Sequence, residues 1–382
     1  MRQAQPRGGT VKAALFDDSQ KRTKLQNHNF TVVQGVHHRN PQSALPRTPD
    51  QYDHINMNTL TDQTMETRAK APRTQMANTH NTAPTQFISA NGIRYAYRRF
   101  GAARGTPIVL MPHFRAGLDN WDPQLTDGLA EDRPVILFNN AGVASSSGEP
   151  SNTIAGMAKH VIAFVNALGL TQVDLLGFSL GGFVAQEVVL QSPDLIRRLI
   201  LAGTGPQGGE GMDSFKPEVA EHATSHTPVV EDFLYLFFAP SETSQAAGLA
   251  FWDRRHSRTD QDVPSSKAAM RAQGEAIAGW GVVPKTDRYS QLKKIKQPVL
   301  VVNGHDDIMV PTINSFILQQ HIPNATLIIY PDSGHGAIFQ YPDMFVSHAR
   351  LFLDDGRKST LRDGSQNGAL EIRGRSMTMS DL

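Results

Sequence analysis

Short apolar segments recur through the middle of the chain at the length typical of buried strands. Each run holds four to seven residues and is bounded by residues such as Gly, Pro and Asn, and all but the first contain β-branched side chains. The runs are Arg94–Phe100, Ile108–Met111, Val135–Phe138, Val173–Leu176, Leu199–Ala202, Val299–Val302 and Thr326–Tyr330. The pattern predicts a strand at each of these positions.

Amphipathic helical segments separate several of these strands. Residues Thr153–Leu168 place an apolar stripe on one face and are followed by Gly169, a residue type favoured just beyond a helix C-terminus. A second apolar segment, Leu180–Gln191, stops before Pro193. Because strands that alternate with helices indicate βαβ units, we predict an α/β fold with a mainly parallel sheet flanked by helices.

One interval departs from this alternation. Roughly 90 residues separate the strand at Leu199–Ala202 from the next strand, which is too long for a simple crossover. The interval contains an aromatic helical stretch at Val229–Phe238 and, further on, Trp252 and Trp280. We therefore predict that residues 206–290 form a helical cap inserted into the α/β core.

Both ends of the chain are polar and aperiodic. Only 24 of residues 1–85 are Ala, Val, Ile, Leu, Met, Phe, Trp or Tyr. Such a segment buries too little surface to offset its ordering entropy, so we predict a mostly disordered extension, and it lacks the pattern of a secretory signal. Residues 354–382 are expected to form a flexible tail. The predicted α/β core then consists of residues 86–205 and 291–353.

The composition excludes several kinds of function. The chain has 37 Lys and Arg residues against 36 Asp and Glu residues, so a net charge of +1 gives no strong attraction for nucleic acid or an anionic membrane. The absence of Cys excludes a disulfide framework and a thiolate nucleophile. No apolar run approaches the length of a transmembrane helix, and we expect a cytoplasmic protein.

The strongest chemical motif is Gly177-Phe178-Ser179-Leu180-Gly181, between an apolar strand and an apolar helix. A tight strand-to-helix turn would hold Ser179 in a strained conformation, and the flanking glycines would prevent collisions with neighbouring backbone. The N–H of Leu180, at the helix N-terminus, would point at an oxyanion formed on an acyl group. The segment therefore predicts a nucleophile elbow.

A serine nucleophile needs a base, and the base needs an orienting carboxylate. Downstream, Asp306 and Asp307 follow one predicted strand and His335 follows the next. These loops lie at the C-terminal ends of their strands, the same sheet edge as Ser179. The three loops can converge, with either aspartate as the acid.

The segment of about residues 86–353 resembles the α/β-hydrolase family, specifically capped serine hydrolases such as esterases and non-haem haloperoxidases. The resemblance rests on the elbow, on G-x-x-D-x-x-V-P at Gly304–Pro311 and on S-G-H-G at Ser333–Gly336. In that family the acid lies three residues after the loop glycine, which favours Asp307 over Asp306. The triad that the resemblance implies is Ser179, Asp307 and His335.

Two loops depart from the family pattern. The family usually carries His-Gly-x after its third strand, whereas this chain has His113-Phe114-Arg115. The resemblance makes the N–H of Arg115 the second oxyanion donor, beside Leu180. The loop after the fourth strand, Asn139–Ser145, lacks the arginine that is usual there.

Several further residues are candidates for pocket or structural roles. Phe114, Trp252 and Trp280 are candidate pocket residues, although aromatic side chains in a small cap often form its own core. We expect the basic run Arg254–Arg258 to be an exposed helix face and Asp174 to be structural.

These observations lead us to expect a serine hydrolase that cleaves an ester or related acyl bond of a small, partly apolar substrate. The expected partner is a small molecule, and no cofactor, metal ion, nucleic acid or membrane is expected. The same triad would serve a cofactor-free perhydrolase or a carbon–carbon bond hydrolase. A receptor-like protein with slow or no turnover is the alternative from another functional class.

Overall fold

The computed structural model describes residues 78–225 and 228–354. Most of the predicted polar extension and all but the first residue of the predicted tail therefore lie outside the described residues. Within the described residues, no helix is both long enough and apolar enough to cross a membrane.

Eight strands of the described chain form one sheet, in the order β1-β2-β4-β3-β5-β6-β7-β8. Strands β1 and β2 pair antiparallel, β2 pairs antiparallel with β4, and all further pairs are parallel. The strands are β1 Gln86–Ala90, β2 Ile93–Gly101, β3 Ile108–Met111, β4 Pro134–Phe138, β5 Val173–Phe178, β6 Ile196–Ala202, β7 Val299–Gly304 and β8 Ala325–Tyr330. The predicted α/β class with a mainly parallel sheet is confirmed.

Helices cover both faces of this sheet. Those of the described chain are α1 Pro123–Ala130, α2 Ile154–Ala167, α3 Leu180–Gln191, α4 Pro217–Thr224, α5 Val230–Phe237, α6 Glu242–Arg255, α7 Lys267–Gly281, α8 Ile313–His321, α9 Ala337–Gln340 and α10 Pro342–Asp354. The Thr153 side chain caps α2 by accepting a hydrogen bond from the Gly156 N–H. Helices α4 to α7 all lie between β6 and β7, in the segment that we call the insertion.

The alternation of side chains along the strands divides the core into two layers. Val109 and Leu175 face one side of the sheet, where they belong to a cluster with residues of α2 and α3. Leu110 and Leu176, one residue further on, face the other side and cluster with residues of α1 and α10. Because the central strands are buried on both faces, their sequences are almost entirely apolar, with Asp174 of β5 as the charged exception.

An ion pair with a buried carboxylate joins the adjacent strands β5 and β6. Asp174 on β5 receives hydrogen bonds of 3.0 and 2.6 Å from Nε and Nη2 of Arg197 on β6. The Asp174 side chain is fully buried, and a second cation, Arg133, lies 3.9 Å away. These contacts hold Asp174 within the sheet and away from the elbow.

The folded chain begins earlier than the sequence indicated. Residues 78–85 belong to the predicted polar extension, yet His80 and Ala83 are buried. The backbone N–H of His80 donates to Asp127 Oδ1 over 2.7 Å, and Arg258 Nη1 donates to the carbonyl of His80 over 3.0 Å. Hydrogen bonds from distant side chains, rather than apolar content, hold this segment against the fold.

Candidate active site

Ser179 occupies the sharp turn between β5 and α3. Its backbone angles are φ 56° and ψ −120°, in the left-handed half of conformational space that an L-residue rarely adopts. The carbonyl oxygen of Ser179 accepts hydrogen bonds from the Gly182 N–H over 2.8 Å and from Thr204 Oγ1 over 2.9 Å. These two bonds stabilise the strained turn. The turn presents the serine side chain at the N-terminus of α3.

The flanking glycines have a steric cause. A side chain on Gly177 would collide with the carbonyl of Gly181, and one on Gly181 would collide with the carbonyl of Met111. The elbow therefore allows β5, α3 and the end of β3 to approach more closely than any residue with a Cβ would permit. The predicted elbow geometry is present around Ser179.

His335 and Asp307 meet in the loops after β8 and β7. The two residues are joined by a 2.8 Å hydrogen bond between His335 Nδ1 and Asp307 Oδ2, and both side chains are buried. The other carboxylate oxygen, Oδ1, accepts the backbone N–H groups of Met309 and Val310 over 2.8 and 2.9 Å. The carboxylate is thus fixed from both sides, and it fixes the imidazole ring in turn.

The second ring nitrogen of His335 faces the other way. Nε2 is buried and has no hydrogen-bond partner among the described residues. The ring packs against Phe178, with 4.9 Å between centroids, and against Phe237 at 5.3 Å. His335 and Ser179 line the same cavity. The arrangement leaves Nε2 available to take a proton from a group in that cavity.

Asp306 lies in a different environment from its neighbour. Its side chain is 59% exposed and lies 3.0 Å from Nδ1 of His305, which is also exposed. This contact raises the pKa of His305, through the hydrogen bond and the charge of Asp306. Of the two aspartates that the sequence left as candidates, only Asp307 contacts His335.

The two predicted oxyanion donors differ in their present partners. Leu180 is the first residue of α3, so its N–H has no carbonyl partner within the helix. The N–H of Arg115, which has a φ of 65°, donates to Gln273 Oε1 over 2.7 Å. Gln273 belongs to α7 of the insertion and is buried.

The Arg115 side chain is also held by the insertion. Its Nη1 donates to the carbonyls of Ala223 and Ser225, over 3.1 and 2.8 Å. Burial lowers the pKa of this guanidinium, while the charge of Asp232 acts in the opposite direction. The Arg115 side chain is therefore tied to the C-terminal end of α4.

Two cavities meet at Ser179. The larger, of about 310 Å³, contains Ser179 and His335 and has mixed polar and aromatic walls that include Phe114, Trp252 and Arg255. The smaller, of about 60 Å³, has an almost wholly apolar wall. That wall comprises Phe114, Phe183, Phe215, Val219, Ala220, Ala223, Thr224, Gly274, Ile277, Met309 and Val310. Helices of the insertion supply much of both walls.

The structure separates the two predicted tryptophans. Trp252 and Phe114 line the larger cavity. Trp280 lies outside both cavities at Ser179, where its ring stacks on Phe183 with 5.5 Å between centroids. Its Nε1 donates to the carbonyl of Gly205 over 3.3 Å. Trp280 therefore packs behind the apolar cavity rather than within it.

His113 organises the loop after β3. Its Nδ1 lies 2.9 Å from the carbonyl of Phe114, and aromatic rings that include Phe178 and Phe237 surround it. Burial, with a smaller contribution from the charge of Arg255, lowers the pKa of His113 to about 3. The ring is therefore neutral at physiological pH. No group of three or more potential metal ligands occurs in the part of the chain that the structure describes.

The basic run at the end of α6 differs from the sequence-based expectation. Arg255 and Arg258 are buried rather than exposed, and Arg254 forms an ion pair with the buried Asp122. A signal for Arg255 was present in the sequence, because it lies four residues after Phe251 and three after Trp252, on the same helix face. The second residue that the sequence analysis missed, Gln273, had no comparable signal.

Known proteins share this architecture. Residues 106–342 match the family model described as the alpha/beta hydrolase fold. A solved alpha/beta hydrolase fold protein from Chitinophaga pinensis is 43% identical, covers 72% of this chain and 99% of its own, and superposes with a TM-score of 0.69.

Two relatives of named activity also match. A poly(3-hydroxyalkanoate) depolymerase of Ectopseudomonas oleovorans is 31% identical over 72% of this chain and 93% of its own length. A pimeloyl-[acyl-carrier protein] methyl ester esterase of Nitrosomonas europaea is 32% identical over 45% of this chain and 67% of its own. With the family model matched over residues 106–342, this chain belongs to the alpha/beta hydrolase fold family.

Proposed function

We propose that the protein is a serine hydrolase that cleaves an ester or related acyl bond through a covalent acyl-enzyme. The observation that carries the proposal is the arrangement around one cavity. A strained serine at a helix N-terminus shares that cavity with a histidine whose Nδ1 is bonded to a buried aspartate and whose Nε2 has no partner among the described residues.

Acylation uses the three residues in the roles that their contacts support. Ser179 Oγ attacks the substrate carbonyl, and its proton passes to His335 Nε2. Asp307 keeps the Nδ1 proton on the far side of the ring and stabilises the charged imidazolium. When the tetrahedral intermediate collapses, the carbon–oxygen bond to the leaving group breaks and His335 returns the proton to the departing alcohol.

Deacylation repeats these steps with water as the nucleophile. His335 Nε2 accepts a proton from water, the hydroxide attacks the acyl carbonyl, and Ser179 Oγ leaves with the proton held by His335. In both halves the N–H groups of Leu180 and Arg115 are the proposed oxyanion donors. Donors of this type contribute about 3–4 kcal/mol each in related enzymes.

The insertion supplies the proposed cap that selects the substrate. Its side chains form much of both cavities, and a small-molecule substrate is the partner that cavities of this size can hold. The small apolar cavity accepts an apolar group next to the scissile bond, while Phe114 and Trp252 line the path in the larger one. Among the relatives, the methyl ester esterase supports an ester as the bond that is cleaved.

The decisive experiment compares the wild type with Ser179→Ala, and with Ser347→Ala on the exposed face of α10 as the matched control. p-Nitrophenyl esters of increasing acyl length report turnover, and a fluorophosphonate reports nucleophile labelling by mass spectrometry. We expect sustained turnover and labelling at Ser179 in the wild type and control, and neither in Ser179→Ala.

Other outcomes would contradict the proposal in distinct ways. Labelling without turnover of any ester would favour a receptor-like protein or a carbon–carbon bond hydrolase. Equal turnover by Ser179→Ala would remove Ser179 from the reaction. Bromide oxidation with hydrogen peroxide and acetate, at a rate exceeding ester cleavage, would favour a perhydrolase.

A further inference from the structure

A buried arginine that forms no ion pair with the described residues faces the cavity that contains Ser179. Arg255, the last residue of α6, is only 9% exposed. Its Nε and Nη1 have no hydrogen-bond partner among the described residues, and its side chain lines the same cavity as Ser179 and His335. Because an unpaired buried charge lowers stability, such a group is characteristic of a binding site rather than of a structural core.

Aromatic rings hold the Arg255 guanidinium in place. Its Cζ lies 4.3 Å from the centroid of the Phe233 ring and 5.1 Å from that of Trp252. These contacts stabilise the cation through its faces, whereas the N–H groups around its edge stay available. Burial lowers the pKa of Arg255 to about 10, so the side chain is still charged at neutral pH.

The acidic side chains in the wall of the larger cavity are bonded to other groups. Each accepts a hydrogen bond from a neighbouring side chain, in pairs that do not involve Arg255. The pairs are Arg98–Asp119, Asn139–Asp262 and His222–Asp232. Arg255 therefore lines the cavity with unused hydrogen-bond donors and with no carboxylate of the described residues bonded to it, whereas Arg115 in the same wall already donates to two backbone carbonyls.

A series of aromatic contacts connects Arg255 with the proposed base, His335. The ring of Phe233, which the guanidinium contacts, lies 5.1 Å from the ring of Phe237, and that ring lies 5.3 Å from the ring of His335. Contacts through two aromatic rings thus link the cation to the proposed base. A group bound by Arg255 would belong to the substrate but would lie several bonds from its scissile carbonyl.

We propose that Arg255 binds a carboxylate of the substrate, so that the favoured esters carry a negative charge several carbons from the bond that is cleaved. The inference rests on the proposed function and deepens it. A carboxylate matches the planar, bidentate geometry of a guanidinium. A doubly charged phosphate fits less well, because Asp119, Asp232 and Asp262 line the same cavity and would repel its second charge.

The test uses matched esters that differ only in the distal group. In the first pair, monomethyl adipate carries a carboxylate at the end of its acyl chain, and methyl hexanoate is its uncharged counterpart. In the second pair, the butanoyl ester of 4-hydroxybutanoate carries a carboxylate at the end of its alcohol chain, and butyl butanoate is its uncharged counterpart. For the wild type we expect kcat/KM to be at least about tenfold higher for the charged member of one pair.

Substitution of the arginine should remove that preference. In Arg255→Gln we expect kcat/KM for the charged ester to fall about tenfold to a hundredfold, while that for the neutral ester stays within about threefold. Arg255→Lys keeps the charge but loses the bidentate fork, so it should recover part of the preference. Arg271→Gln removes a cation from the exposed face of α7 and should leave the preference intact.

A binding measurement separates this inference from the hydrolase proposal. Titration calorimetry of hexanoate and of inorganic phosphate into Ser179→Ala, with and without Arg255→Gln, does not depend on turnover. Hexanoate binding that requires Arg255 supports the inference even where no ester is hydrolysed. Equal hydrolysis of both members of each ester pair, or binding of phosphate in preference to hexanoate, would overturn the inference. The ester comparison needs only the wild type, so it decides the question even where Arg255→Gln does not fold.

Discussion

Gln273 Oε1 accepts a 2.7 Å hydrogen bond from the backbone N–H of Arg115, the group that we propose as the second oxyanion donor. The acceptor belongs to α7 of the insertion and the donor to the loop after β3. A backbone N–H carries a single proton, so a bond from Arg115 to an oxyanion forms at the expense of the bond to Gln273. In this conformation, Gln273 competes with the transition state for the donor.

Replacement of Gln273 by Leu removes the competing acceptor with little change in volume. A neutral hydrogen bond contributes about 1 kcal/mol, so kcat/KM should rise about twofold to tenfold. The same change leaves a buried N–H unpaired in the free enzyme and should lower the free energy of unfolding by about 1–3 kcal/mol. Ester hydrolysis per titrated active site and urea denaturation measure the two effects.

Gln320→Leu, at an exposed position near the end of α8, is the control for this experiment and should change neither quantity. Lower stability of Gln273→Leu together with an unchanged or reduced kcat/KM would show that the Arg115 N–H does not hold the oxyanion.

The two neighbouring aspartates should differ sharply in their catalytic importance. Asp307→Asn keeps an oxygen for the N–H groups of Met309 and Val310 but removes the negative charge beside His335 Nδ1, so the imidazole loses its required tautomer. We expect kcat to fall about 10⁴-fold with little loss of folding. Asp306→Asn alters an exposed pair with His305 and should change kcat by less than about threefold. A larger loss in Asp306→Asn than in Asp307→Asn would reverse the assignment of the acid.

The apolar cavity should limit the size of the group next to the scissile bond. Ala220 on α4 lines this cavity of about 60 Å³, and Ala220→Leu would fill most of it. We expect the optimum acyl or alcohol chain to shorten by two or more carbons, with kcat/KM for the shortest esters changing by less than about threefold. Ala250→Leu, on an exposed part of α6, is the matched control. Unchanged chain-length profiles in Ala220→Leu would exclude this cavity from substrate binding.

The sequence predicted those parts of the fold that depend on local patterns. The strands that are buried on both faces are recognisable because almost all of their residues are apolar. Helix α3 has the predicted bounds. Strand β1 was missed, since its side chains are half-exposed and lack a clear alternation. The turn that joins it to β2 nevertheless contains Asn91-Gly92, both with positive φ, which is a strong hairpin signal.

The sequence likewise predicted some parts of the candidate site and not others. The elbow and the loops after β7 and β8 could be predicted, because parallel strands bring their carboxyl ends to one edge of the sheet. Gln273 could not be placed, because its position depends on how the insertion packs. The hydrogen bond between Gln273 and Arg115 joins residues 158 positions apart. Local periodicity holds no information about a contact of that range.

Buried histidines should make the protein less stable as the pH falls below neutrality. His80 is 1% exposed, and burial lowers its pKa to about 4, with a partly opposing contribution from Asp119. Between the unfolded pKa of about 6.5 and the folded value, the unfolded chain binds a proton that the folded chain does not. The contribution of the neutral, buried His80 to the free energy of unfolding is therefore fully present above pH 6.5 and is lost progressively as the pH falls towards 4.

Substitution of His80 isolates this effect from the other titrating groups. His80→Gln should be less stable than the wild type at pH 7.5, because the bond from Nδ1 to Thr126 Oγ1 is altered. Between pH 7.5 and pH 5, however, the variant should lose about 2 kcal/mol less of its free energy of unfolding than the wild type. His256→Gln, at an exposed histidine, should retain the wild-type dependence on pH. Urea denaturation at the two pH values measures these differences. Parallel pH dependences for His80→Gln and the wild type would mean that His80 is protonated in the folded protein at pH 5.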